Sequence, residues 1–143
     1  MLKDQGKLDA AEEMMRRALA AEEKTLGRYH ENTLITTWTL ASVLKKQKKL
    51  DLAEDMMRRT LAGDEKTLGP DHGNTLITLL GLAELLNEQG RYEEASLLYK
   101  RGLPGAAKRS GEDSPWVVWN SEEYSDLLER VKATRDETQS SSP

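Results

Sequence analysis

Residues 7–48 of this chain, KLDAAEEMMRRALAAEEKTLGRYHENTLITTWTLASVLKKQK, return little changed as residues 49–90, KLDLAEDMMRRTLAGDEKTLGPDHGNTLITLLGLAELLNEQG. The period is 42 residues, and 26 of the 42 positions are identical. A third unit, 91–132, opens with RYEEASLLYKRGL and diverges after Leu103, but Gly111, Val118, Leu127 and Leu128 keep the register. A period of this size marks a stacked array, in which each unit covers its apolar face only against its neighbours.

The spacing inside a unit is helical. Leu52, Met56 or Met57, Thr60, Leu61 and Leu68 recur at three- and four-residue steps, and so do Leu76, Leu79 or Leu80, Ala83 and Leu85 or Leu86. That is one apolar face of a 3.6-residue period, and nothing alternates with period two. The pattern predicts helices over 8–25, 32–47, 50–67, 74–89, 92–103 and 115–136. Gly27 and Gly69 suit the left-handed position that ends a helix, and Pro70 cannot continue one. Asn32 and Asn74 are candidate N-caps, as is Ser114 ahead of Pro115 at a first helical position. Gly6 and Gly90 read as tight turns between paired helices. Gly102, Pro104 and Gly105 should end or kink the fifth helix early. Residues 137–143, ETQSSSP, read as a disordered tail with serines open to modification.

Composition narrows the function. The chain has 143 residues, a net charge of −4, no cysteine and no phenylalanine. Without cysteine it has no disulfide framework, thiol nucleophile or cysteine-bound zinc, which fits a cytoplasmic protein. A pI near 5.3 argues against a nucleic-acid binder. No apolar run approaches the ~18–20 residues needed to span a bilayer.

The repeat resembles the tetratricopeptide repeat (TPR), in the 42-residue form of kinesin light chains and of similar arrays on fungal NOD-like signalling proteins. The copy LLGLAELLNEQGRYEEASLLYKRGL, 79–103, carries the resemblance through Leu82, Ala83, Leu86, Gly90, Tyr92, Ala95 and Tyr99. The preceding copy has Leu40, Ala41, Leu44, Lys48, Leu50, Ala53 and Met57 there, and EKTLGPDHGNTL, 65–76, is similar to the subfamily's linker. The resemblance implies an all-α fold, a right-handed superhelical solenoid of antiparallel helix pairs over 1–136. It also implies that the first helix of the leading repeat is missing, because MLKDQG matches the end of such a helix. Leu8, Met15 and Leu19 would then form an open helix face able to self-associate.

For function, the resemblance implies a non-enzymatic module that binds a peptide or protein segment in the concave groove lined by the first helix of each pair. Carried over by position, the groove residues are Ile35, Trp38, Ser42, Lys45 and Lys46, then Ile77, Leu80, Glu84, Asn87 and Glu88, with Trp119, Glu122 and Asp126 on the last helix. The family's polar clamp for a C-terminal carboxylate is replaced by Trp38, Ser42, Leu80 and Glu84. The alternative is a structural part of a larger kinesin-light-chain-like or NOD-like array with no ligand of its own.

The remaining conspicuous residues read as structural. His30 and His72 occupy one linker position in two repeats, without a converging nucleophile or carboxylate set. Arg16-Arg17 and Arg58-Arg59 follow acids at i−4, the favourable order for surface pairs. Of Met14-Met15 and Met56-Met57, one residue of each pair should pack between helices and the other at a seam between repeats. No phosphate-binding loop, calcium loop or zinc-ligand set occurs, so no catalytic residue, metal or cofactor is expected.

Overall fold

A computed structural model describes the backbone of residues 2–140 and the side chains of residues 4–138. The described residues form six helices: α1 (Leu2–Thr25), α2 (Glu31–Lys46), α3 (Leu50–Thr67), α4 (Gly73–Glu88), α5 (Tyr92–Ser110) and α6 (Pro115–Ser140). There is no strand among them. This is an all-α helical repeat built of antiparallel helix pairs. The chain divides into two compact units, Met1–Thr78 and Leu79–Pro143, with the boundary inside α4.

In the first unit α2 packs on both α1 and α3. Its core is Leu19 of α1, Leu34, Leu40, Ala41 and Leu44 of α2, Ala53 and Met57 of α3, and Leu76 at the start of α4. The fully buried Ala41 and Ala53 keep the helices close, as the small-residue pattern requires. In the second unit α5 packs on α6. Its core is the Leu79–Leu86 stretch of α4 without Gly81 and Glu84, then Ala95, Tyr99 and Ala106 of α5, and Val117, Leu127 and Val131 of α6. Tyr99 is among the largest fully buried side chains, and its ring stacks on Tyr124 at 5.8 Å between centroids. Burial pushes the Tyr99 hydroxyl far above its ordinary pKa, and the Glu84, Glu123 and Glu88 carboxylates push the same way.

The turns inside the helix pairs are made by one motif. At Gly90 φ is +78°, with Gly90 N–H donating to the Asn87 carbonyl (3.1 Å) and Arg91 N–H to the Leu86 carbonyl (2.9 Å). One period earlier Lys48 takes φ +65°, with the same two bonds to Lys45 (3.0 Å) and Leu44 (2.9 Å). Gly27 and Gly69, at φ +92° and +91°, end α1 and α3 as their spacing predicts.

Several expectations are corrected. Gly6 makes no turn, because α1 runs through it from Leu2 and no neighbour lies within 4 Å of a Cβ there. Helix α5 does not stop near Gly102 but carries Pro104 inside it to Ser110, anchored by the buried Ala106 and by packing on α6. Gly102 serves close approach instead, since a Cβ there would sit 2.9 Å from Leu80 Cδ2 and 3.0 Å from Leu79 Cδ2. Helix α6 continues through Ser140, and residues 141–143 of the expected tail lie outside the described residues. The N-caps of α2 and α4 are also not the asparagines. His30 Nδ1 accepts from Asn32 N–H and His72 Nδ1 from Asn74 N–H, both at 3.1 Å.

The open face expected on α1 is also smaller than its three residues suggest. Leu19 is buried, and Leu8 and Met15 are half-buried. Among the described residues of α1, Met14, at 66% exposure, is the large apolar side chain presented to solvent. Met57 is buried and Met56 half-buried, so one methionine of this pair enters the core, whereas on α1 neither Met14 nor Met15 is buried.

The basic pairs are surface ties. Arg16 meets Glu12 at 2.8 Å, Arg17 meets Glu13 at 2.6 Å, and Arg58 meets Glu54 at 2.8 Å. Arg59 reaches from α3 across to Glu23 of α1 at 3.4 Å.

Candidate functional site

Pro70 and the His72 cap turn the chain from α3 into α4, so the C-terminal half of α3 lies against the first turns of α4 and of α2. These segments enclose a pocket of about 360 Å³ wholly within the first unit. Its apolar wall is Leu34, Ile35 and Trp38 of α2, Leu68 after α3, Ile77 of α4 and the Tyr29 ring. Ile35 is 53% exposed, Ile77 44% and Trp38 36%, although a helix normally turns such side chains inward. Together they form a contiguous apolar patch, the kind of feature that marks an interaction site.

The polar wall is Thr60, Asp64 and Thr67 of α3, Asn74 and Thr78 of α4, and Glu31 of α2. Asp64 is 4% exposed. Thr78 Oγ1 lies 3.0 Å from Asp64 Oδ2 and 3.1 Å from the Asn74 carbonyl. One hydroxyl carries one proton, so it serves only one of these acceptors fully. Burial raises the Asp64 pKa above its ordinary value, while the Thr78 hydrogen bond and the nearby His72 ring oppose the rise. Among the described residues no lysine, arginine or histidine lines the pocket. Lys66 instead sits over the Tyr29 ring, 4.5 Å from its centroid.

Gly63 brings α3 close to this wall. A Cβ there would lie 2.4 Å from Leu34 Cδ2. The glycine therefore lets Leu34 and Tyr29 reach over α3 next to Asp64.

The groove positions divide. Ile35, Trp38 and Ile77 come together in the pocket. Ser42, Lys45 and Lys46 continue along α2 and do not line it; Ser42 Oγ donates to the Trp38 carbonyl at 3.2 Å. In the second unit Leu80 is a correction, because at 1% exposure it fills the seam over Gly102 and is unavailable to a ligand. Glu84 and Asn87 are half-buried and Glu88 is exposed. Asn87 Oδ1 is buried without a hydrogen-bond partner among the described residues. On α6, Trp119, Glu122 and Asp126 are all exposed.

Sequence reasoning did not single out Asp64, Tyr29, Leu34, Asn74 or Thr78 for this site. One signal was available in the repeat. Asp64 and Thr78 are one period after Glu22 and Thr36, and that earlier pair is also hydrogen-bonded, at 2.6 Å. The third unit has Ala106 and Asn120 there, so the acid is not needed for the helices to pack.

Among the described residues no group of three or more His, Asp or Glu could hold a metal, and no helix is long and apolar enough to cross a membrane.

The sequence profile of the tetratricopeptide repeat matches residues 1–66 and 35–108. No curated protein matches. Among solved structures, the chain is similar to a protein of Podosopora anserina described as a kinesin light chain with nearly identical TPR-like repeats. The TM-score is 0.78 at 23% identity, over 94% of this chain and 70% of that one. A form of that protein with a single substitution matches with a TM-score of 0.79 at the same identity and coverage. BtubC (BKLC) from P. vanneervenii matches with a TM-score of 0.68 at 16% identity, over 96% of this chain and 60% of that one. At these identities the likeness carries the fold.

Proposed function

The chain belongs to the tetratricopeptide repeat family, and from that premise we propose that it is a non-enzymatic module that binds a segment of a partner protein at the Trp38 pocket. The single observation behind this reading is the grouping of Ile35, Trp38 and Ile77, three large apolar side chains left solvent-exposed around one cavity. A half-exposed tryptophan beside a concavity is the usual composition of a binding hot spot. The repeat itself does not demand tryptophan, because its counterpart one period on is the buried Leu80. Ser42, Lys45 and Lys46 extend the contact surface along α2. We place the chain with the kinesin-light-chain-like TPR arrays, supported by the 42-residue period and by the fold likeness. We also assign it to the cytoplasm, on the absence of cysteine.

Selection of a displayed random-peptide library against the whole chain tests this. Selected peptides should bind wild-type protein and lose about 2 kcal/mol or more in calorimetry against Trp38→Ala. Equal affinity for that variant, with its helical circular dichroism intact, removes Trp38 from the site.

A further inference from the structure

Asp64 is the unusual group in the pocket. It is a carboxylate 4% exposed, on the wall of a cavity whose other side is aromatic and aliphatic. Its Oδ2 shares one Thr78 proton with the Asn74 carbonyl. A buried carboxylate without a full set of partners is costly, and the cost falls when a cation reaches it. Among the described residues no basic side chain lines the cavity to do this, and Glu31 adds a second acid at its edge.

We propose that the pocket takes a lysine or arginine side chain of the bound segment, its aliphatic stem along Trp38, Ile35 and Ile77 and its charged head on Asp64. The proposal rests on the reading above that this face binds a protein segment. Long basic side chains suit such a cavity because the stem is apolar and only the head is charged. The Trp38 face adds cation–π attraction on the way in. Charge-assisted hydrogen bonds to a carboxylate are about twice as strong as neutral ones, which sets the expected preference over an uncharged isostere.

The Glu22–Thr36 pair provides an internal control. It has the same acid–threonine tie at 2.6 Å, but neither residue lines the cavity.

The test follows the three tryptophan indole N–H signals in nitrogen-15 NMR spectra of the whole chain, with Trp38 assigned by Trp38→Phe. Two probes are titrated: acetyl-Gly-Leu-Lys-Leu-Gly-amide, and the same peptide with norleucine for lysine. The lysine peptide should move the Trp38 signal and bind about tenfold or more tightly than the norleucine peptide. Asp64→Asn, which keeps the shape and a hydrogen-bonding partner for Thr78, should abolish that ratio, while Glu22→Gln leaves it intact. Equal binding of the two peptides, or a ratio that survives Asp64→Asn, overturns the cation assignment and leaves the groove reading standing. If neither peptide moves the Trp38 signal at millimolar concentration, both readings fall.

Discussion

Replacing Lys48 by glycine should stabilise the protein. Lys48 holds φ +65° at the turn between α2 and α3, a region in which a side chain costs roughly 1–2 kcal/mol. Its amide and that of Lys49 make the two turn bonds, at 3.0 Å and 2.9 Å, and glycine keeps both. The Lys48 side chain is exposed and takes part in no hydrogen bond or ion pair among the described residues, so its removal loses no contact. Glycine gives back roughly 0.5–1 kcal/mol through the greater freedom of the unfolded chain. The balance is a gain of about 0.5–1 kcal/mol. In urea unfolding followed by circular dichroism, that moves the midpoint up by roughly 0.3–0.7 M at unchanged slope. The reverse change one period on, Gly90→Lys, should lower the midpoint by a similar amount, because Gly90 makes the same turn at φ +78°. An unchanged or lowered midpoint for Lys48→Gly, or shifts of the same sign for both variants, would refute the strain argument.

Other perturbations separate the remaining elements. His30→Ala and His72→Ala should each cost about 1 kcal/mol in urea midpoint through loss of the Nδ1 cap, while His→Asn at either site should retain most of it. Gly102→Ala should destabilise, because overpacking against Leu79 and Leu80 at about 1–3 kcal/mol exceeds the helix-propensity gain of about 1 kcal/mol. Gly81→Ala, with nothing within 4 Å of its Cβ, should stabilise by about 0.5–1 kcal/mol in the same assay. The two displaced carboxylates give opposite pH slopes. Glu12 is lowered from 4.5 to about 2, by the Lys49 hydrogen bond first and the Arg16 hydrogen bond next, so its contribution is present above pH 4.5 and lost as pH falls towards about 2. Asp64 is raised above 3.8, so its folded form binds the proton more tightly and stability falls as pH rises through that window. Urea midpoints measured from about pH 2 to 7, a range that reaches down to the Glu12 titration, should therefore lose opposite parts of their slope in Glu12→Gln and Asp64→Asn.

The helices were legible because their signals are local. Leucine spacing placed all six, and Gly27, Gly69 and Gly90 marked their ends. The misreadings arose where packing overrides local preference. Pro104 stays inside α5 because Ala106 and the α6 contact hold the helix beyond it. A histidine serves as N-cap because its unprotonated Nδ1 accepts as well as an asparagine oxygen, which composition does not announce. For the proposed site, Ile35, Trp38 and Ile77 came from the family resemblance, carried over by position, and all three are exposed on their helices. Leu80 was not, because whether that position is surface or seam depends on the distant Gly102. Asp64 was hidden for the opposite reason. A charged residue in a charged helix reads as solvated surface, and only the approach of Thr78 across 14 residues shows it to be buried.

The most direct measurement is chemical-shift mapping of the whole chain with a library-selected peptide. The account predicts that the largest changes fall on Ile35, Trp38, Ile77 and the backbone around Asp64, with Leu97 and Met14, exposed elsewhere on α5 and α1, unmoved. Changes centred on Leu97 or Met14, with Trp38 silent, would contradict it.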